Sequence, residues 1–290
     1  MNAVNAEGVR AELVSEISSS LDSVGLMYRI FSRSKTKASL NRKIESNSDY
    51  GKNKKLQDLV GIRVVLYFND DISSVRSIVS SLYSEKSNDV SIDQVGNEEF
   101  RAVRYNIVYS LSDELSRILN LGDSSDVIDA TFELQIRTIF SEGWHEIEHD
   151  LRYKCKDDWV GFDGESRLLN GVYASLESSE WTMIKIFDEL AYQHYKAQQW
   201  SSMMRQKLRL RFIDDRLVGE LKSILDNDNA LAKKFFRVDR EFLVSEMSKR
   251  GFYYPLTLSN IIYFINILAV KDSRIFDLTP DMMLNDMVID

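Results

Sequence analysis

Hydrophobic and polar positions change their period repeatedly along this chain, and the changes mark out its elements. Residues 131–137, TFELQIR, alternate strictly: Phe132, Leu134 and Ile136 point one way, Glu133, Gln135 and Arg137 the other, as in a half-buried strand. From Phe140 the period becomes helical, with Phe140, Trp144, Ile147 and Leu151 on one stripe, so a helix follows the strand. Earlier, Leu13, Ile17 and Leu21 predict a helix over Glu7 to Val24, and a second helix is expected from about Lys37 to Ser46. Leu59 to Phe68, rich in β-branched residues, reads as a strand ended by the turn Asn69-Asp70-Asp71. A helix from Ile72 to Tyr83, a strand through Val103, Tyr105, Ile107 and Tyr109, and a short helix from Ser112 to Leu119 come next. Glu165 to Tyr195 carries one long amphipathic pattern. Beyond Trp200 only helical patterns follow, over Leu208 to Leu225, Leu231 to Phe236, Phe242 to Met247 and Ile261 to Leu268.

Composition narrows the class. Two prolines, twelve glycines and 44% hydrophobic residues in 290 positions describe a helix-rich chain with little linker. One cysteine, Cys155, excludes an internal disulfide framework and fits a reducing cytoplasm. No stretch has the form of a signal peptide, and Ile261 to Val270 is too short to span a bilayer, so no membrane association is expected. The formal charge is −8, yet Tyr28 to Arg63 holds ten Lys/Arg against three acids. A basic patch in an acidic protein points to a defined polyanion rather than to nucleic acid in general. The later cluster Arg205, Lys207, Arg209 and Arg211 is spaced every second residue and reads as a solvated or acid-paired surface.

Two chemistries compete for the central stretch. His145-Glu146-Ile147-Glu148-His149 fits the H-E-x-x-H zinc-hydrolase pattern, but the chain's remaining histidine, His194, is no evident third ligand. Alternatively, a carboxylate, an amide and a guanidinium in a row, Glu133, Gln135 and Arg137, can hold a metal-bound polyphosphate.

The segment FELQIRT followed by Trp144 and EIEHDLRYK resembles the strand–helix segment of RelA/SpoT-type alarmone synthetases, which move pyrophosphate from ATP to a nucleotide 3′-hydroxyl. Two further segments resemble the same family in the expected order. Arg33, Lys35, Ser39 and Lys43 match its ATP-site spacing, and Asp58-Leu-Val-Gly61-Ile-Arg63 its D-x-x-G-I-R strand. The resemblance implies ATP binding by Arg33, Lys35, Ser39, Lys43 and Arg63, with the two arginines clamping adenine by stacking. It implies Mg2+ held by Asp58 and Glu133, with Glu133 also activating the acceptor hydroxyl. Alternation alone sets Asp58 and Arg63 on opposite faces; a bulge at Gly61, or Asp58 preceding the strand, would reconcile them. The acceptor motif departs from the family: Phe100, Ala102 and Arg104 stand where a tyrosine, serine and histidine are usual. Phe100 keeps a stacking ring, and Phe100, Arg104, Gln135 and Arg137 are the expected acceptor-binding residues.

The implied fold is α+β: a mixed, roughly five-stranded, nucleotidyltransferase-like synthetase core over residues 1–160, then an all-helical region over 161–290 serving oligomerisation or regulation. The implied activity is ATP-dependent pyrophosphate transfer, with GDP or GTP as acceptor, or alternatively an adenine nucleotide or the 3′ end of tRNA. A non-catalytic nucleotide-binding module is the remaining alternative. With three histidines, the family's histidine–aspartate hydrolase domain is not expected. A homo-oligomer is.

Overall fold

The computed structural model describes residues 4–45, 49–52, 54–86, 91–92 and 105–287. The expected acceptor residues Phe100, Ala102 and Arg104 lie outside them. The chain forms two compact units, residues 1–19 with 28–180, and residues 20–27 with 181–290.

Among the described residues the first unit is built on a mixed five-stranded sheet, as the alternation and the resemblance lead one to expect. Its strands are β1 (Tyr28–Ser34), β2 (Val60–Leu66), β3 (Ser91–Ile92), β4 (Tyr105–Ser110) and β5 (Thr131–Thr138), in the order β1-β2-β5-β4-β3. β2 and β5 run parallel in the centre; β1 and β4 flank them antiparallel. Every second residue of β5 is buried, and Phe132 packs edge-on against Tyr83 and stacks on Tyr109. Burying side chains of this size contributes about 1.5–3 kcal/mol each, which fixes the register and commits Glu133, Gln135 and Arg137 to the opposite face.

Helices α1 (Ala6–Ser23), α2 (Lys37–Glu45), α3 (Ile72–Leu82) and α4 (Asp113–Leu119) lie close to the expected bounds. Val9, Leu13 and Ile17 of α1 are fully buried. β1 is a strand that the hydrophobic pattern does not announce. Its inward positions after Tyr28 are partly polar: Ser32 accepts from Arg10 at 2.7 Å and Ser34 donates to Glu7 at 3.0 Å, so the apolar alternation is faint.

β5 runs into α5 (Ile139–Glu148) without a connecting residue. Thr138 caps the helix: its hydroxyl accepts from the Ser141 amide, and the Ser141 hydroxyl accepts in return from the Thr138 amide. The helical period then widens to a π-turn over His149–Tyr153, where the sequence pattern predicts a plain α-helix. α6 (Asp163–Lys196) is the expected long helix, and its first half packs on α5. Trp144 donates to the Leu169 carbonyl at 2.9 Å and lies against Tyr173, while Arg152 bonds Ser166 and Asn170. This packing carries the first unit as far as residue 180.

The second unit is helical, in line with its sequence pattern: α7 (Trp200–Leu208), α8 (Gly219–Asn227), α9 (Asn229–Phe236), α10 (Arg240–Lys249), α11 (Leu258–Ile265), α12 (Ser273–Phe276) and α13 (Asp281–Met287). Asp228, Asp239, Thr257 and Asp272 cap four of them. The helix expected over Leu208 to Leu225 forms only from Gly219, as α8: Arg209 turns left-handed (φ 48°) and ends α7 at Leu208, and residues 209–218 are not helical. In the basic cluster there, Arg205 pairs with Asp215 and Lys207 with Asp188 at 3.0 Å, whereas Arg209 is buried. Among the described residues no helix is long and apolar enough to cross a membrane.

Candidate active site

The polar face of the sheet is laid out in rows. Arg33, Gly61 and Glu133 stand opposite one another on β1, β2 and β5; the next row is Phe31, Arg63, Gln135 and, on β4, Asn106. All seven residues line a cavity of about 580 Å³ whose far wall is α5 and the π-turn. Gly61 leaves the first row open: a Cβ there would meet Arg33 Cγ and Nε at 3.7 Å, so the Arg33 side chain lies across the glycine. The register from Tyr28↔Leu66 to Ser34↔Val60 is unbroken. There is thus no bulge at Gly61; Asp58 precedes the strand, the second of the two arrangements considered.

The middle of the cavity is held by charge. Arg63 donates to Gln135 at 3.0 Å and, through Nη1, to Glu142 and Glu146 at 2.6 Å each. Arg137 donates to the other Glu142 oxygen at 2.7 Å and to Gln135 at 3.3 Å. Glu142 thereby bridges both guanidinium groups. Burial and the neighbouring Arg63 charge lower the Arg137 pKa. Burial also works against Arg63, but its bonds to Glu142 and Glu146 outweigh it and raise that pKa. Glu142 is not singled out for a role by the sequence, and Glu146 only as part of the H-E-x-x-H pattern. Their i, i+4 spacing is visible there, but the arginines they meet lie on strands distant in sequence. Asn106 likewise carries no sequence signal.

Glu133 has no hydrogen-bond or ion-pair partner among the described residues and is only partly buried, a carboxylate left available on the cavity wall. Asp58 is engaged. One of its oxygens accepts from Lys43 at 2.7 Å and pairs with Lys35 at 3.2 Å. Burial opposes its charge, but the two ammonium groups prevail and lower its pKa. Its other oxygen, Oδ1, is buried without a partner. Asp58, Lys35 and Lys43 thus form one group and Arg33, Arg63, Glu133, Gln135 and Arg137 another. Ser39 is partly exposed on α2, its amide donating to Thr36 Oγ1 at 3.3 Å.

Mg2+ favours a few carboxylate oxygens together with substrate phosphates. The orphaned Asp58 Oδ1 and the unpartnered Glu133 carboxylate are donors of that kind. Zinc fares differently. His145 is buried against Trp144 and Tyr173, and His149 stacks on Tyr153 with Nδ1 3.0 Å from Asp150. No group of three or more His, Cys, Asp or Glu able to hold a metal occurs among the described residues.

No curated protein matches this chain. Among solved structures it is similar to small alarmone synthetase 2 from Bacillus subtilis (20% identity, 65% of this chain and 98% of that one, TM-score 0.46). Similar too is small alarmone synthetase 1 from Bacillus subtilis bound to its product pppGpp (22%, 64% and 92%, TM-score 0.44). A GTP pyrophosphokinase family protein from Streptococcus pneumoniae matches at 19%, covering 63% and 88%, with a TM-score of 0.44. The family model described as the region found in RelA / SpoT proteins matches residues 32–158, a span holding β1 to β5, α5 and the cavity they line. This match spans 127 of the 290 residues, a little under half of the chain, and the region found in RelA / SpoT proteins is what residues 32–158 are similar to.

Proposed function

We propose that this protein is an ATP-dependent pyrophosphokinase whose acceptor is the 3′-hydroxyl of a nucleotide, a guanine nucleotide first among the candidates. The observation that carries the reading is the cavity's polar sheet face. One unpartnered carboxylate, Glu133, stands beside Arg33 across Gly61, with Arg63, Gln135 and Arg137 in the neighbouring rows. Such a face suits a polyphosphate and a hydroxyl to be deprotonated, and it lies within the RelA/SpoT match.

Pyrophosphate transfer asks for positioning and charge neutralisation more than for covalent chemistry. The acceptor 3′-oxygen attacks the β-phosphorus of ATP, the bond from that phosphorus to the α–β bridging oxygen breaks, and AMP leaves. In this reading Glu133 takes the hydroxyl proton. Lys35 and Lys43, which neutralise Asp58 in the structure, turn toward the phosphates. Arg33 and Arg63 stack on adenine, as planar guanidinium permits, which asks Arg63 to share or leave Glu146. Asp58 and Glu133 are the residues to hold Mg2+, which neutralises phosphate charge when bound. Gln135 and Arg137 face the acceptor; Phe100 and Arg104, assigned to it by the resemblance, lie outside the described residues.

The experiment is turnover of labelled ATP to AMP with GDP, GTP, ADP, ATP and tRNA offered singly. Acceptor-dependent AMP formation is the expected result. Preference for ADP, ATP or tRNA would move the acceptor away from guanine, and no AMP with any acceptor would leave a nucleotide-binding module.

A further inference from the structure

Among the described residues, rings meet at two places on the α5 side of the first unit, and the two differ in kind. Trp144 and Tyr173 are buried, 6% and 8% exposed, and tilted at 59° with centroids 4.9 Å apart. That is how rings pack in a core. His149 and Tyr153 instead lie nearly parallel, at 11° and 5.7 Å, with Tyr153 53% exposed and both lining the cavity. The parallel stack follows from the backbone. The Lys154 amide bonds the His149 carbonyl at 3.0 Å, five residues back, and this wider turn brings residues four apart closer to eclipse than an α-helix does. Lys156 sits 4.4 Å from the centre of the Tyr153 ring, adding a cation to the stack. The turn closes the C-terminal end of α5, and a half-exposed ring pair in a polar cavity does nothing for the core.

We propose that His149 and Tyr153 form a stacking plate for the nucleobase of the acceptor. The choice of acceptor over donor rests on the pyrophosphokinase reading, which gives adenine to Arg33 and Arg63 on β1 and β2; the plate belongs to a different wall. Stacking on a ring accepts any base, since each has a π-face. The plate therefore supplies affinity, and the neighbouring polar groups discriminate between bases. The binding is separable from catalysis: neither ring touches the phosphorus or the hydroxyl in this scheme.

The test is equilibrium binding of GDP and of ADP to the full chain, with and without saturating α,β-methylene-ATP, alongside binding of that analogue alone. Tyr153→Leu is expected to weaken acceptor binding by about ten- to a hundredfold, to raise the acceptor KM in the same proportion with kcat little changed, and to leave analogue affinity within about threefold. Tyr153→Phe, which keeps the ring, should restore acceptor binding. Unchanged acceptor affinity in Tyr153→Leu would overturn the plate. A loss falling on the ATP analogue would overturn its assignment to the acceptor. Wild-type protein that binds GDP through Tyr153 but forms no AMP would overturn the pyrophosphokinase reading while leaving a base-binding plate in place. Wild-type protein that binds neither nucleotide would overturn both. Matching thermal melts of the variants exclude unfolding as the cause, and the exposure of Tyr153 makes them the expected outcome.

Discussion

Arg63 donates to Glu142 at 2.6 Å, joining β2 to α5 across 79 residues of sequence. The same carboxylate holds Arg137 through its second oxygen, so two like charges are kept side by side chiefly by one acid, with the more exposed Glu146 2.6 Å from Arg63 and 3.7 Å from Arg137. Removing that charge leaves two part-buried guanidinium groups facing each other. Glu142→Gln is expected to cost about 1–3 kcal/mol of stability, read as a lower urea midpoint, and to raise nucleotide KM. A variant with native stability and KM would make the bridge incidental.

Glu133→Gln and Asp58→Asn are each expected to lower AMP formation by at least about a hundredfold with the fold kept. Glu133 is the available acid of the cavity, and Asp58 holds an oxygen without a partner. Asp58→Asn also removes the counter-charge of Lys35 and Lys43, so its loss should extend to ATP affinity. Near-native turnover in either variant would remove that residue from the mechanism.

Much of the sheet and of the cavity is legible in the amino-acid sequence. Strict alternation in 131–137 decides which side chains share a face, because one face has to be buried. The spacing of Arg33, Lys35, Ser39 and Lys43 carries the resemblance, and the family match holds the last three and Arg33 alike. What stays hidden are pairings decided by distant elements. Glu142 and Glu146 read as the wet side of a helix until β2 and β5 bring arginines to them. The resemblance points Lys35 and Lys43 toward phosphates, whereas in the folded chain they meet Asp58. β1 escapes notice because its inward serines bond α1 rather than fill a core.

Glu180 gives the stability a pH dependence. It is buried and accepts a hydrogen bond from Thr138 Oγ1, and burial raises its carboxyl above its ordinary 4.5. A raised acid binds its proton more tightly folded than unfolded, so this group costs stability as pH rises from about 4.5 through the raised value. Glu180→Gln, which can still accept from Thr138, should raise the Tm at pH 8 and change it little at pH 4. Each kcal/mol recovered corresponds to about 2–4 °C. Asp58 has the opposite sign: its lowered pKa stabilises the fold above about 3.8, and that contribution is lost as pH falls further. Equal Tm shifts for Glu180→Gln at both pH values would refute the account.

Zinc is expected to be absent at stoichiometric level in protein purified without chelator, because His145 is packed between rings and no third ligand is near among the described residues. Elemental analysis decides it. One zinc per chain, lost in His149→Ala together with hydrolysis, would favour a hydrolase.

The capped junction at Thr138 makes the strand bearing Glu133 and the helix bearing Glu142 one uninterrupted run of chain. A helix turns about 100° per residue. One residue added or lost between 138 and 142 would swing Glu142 away from both arginines and carry His149 and Tyr153 round with it. No loop is there to absorb the change. Homologous sequences should therefore vary in length on either side of this run and hardly at all within it, so the spacing from Glu133 to Tyr153 is a sharper mark of a working site than the identity of most residues between them.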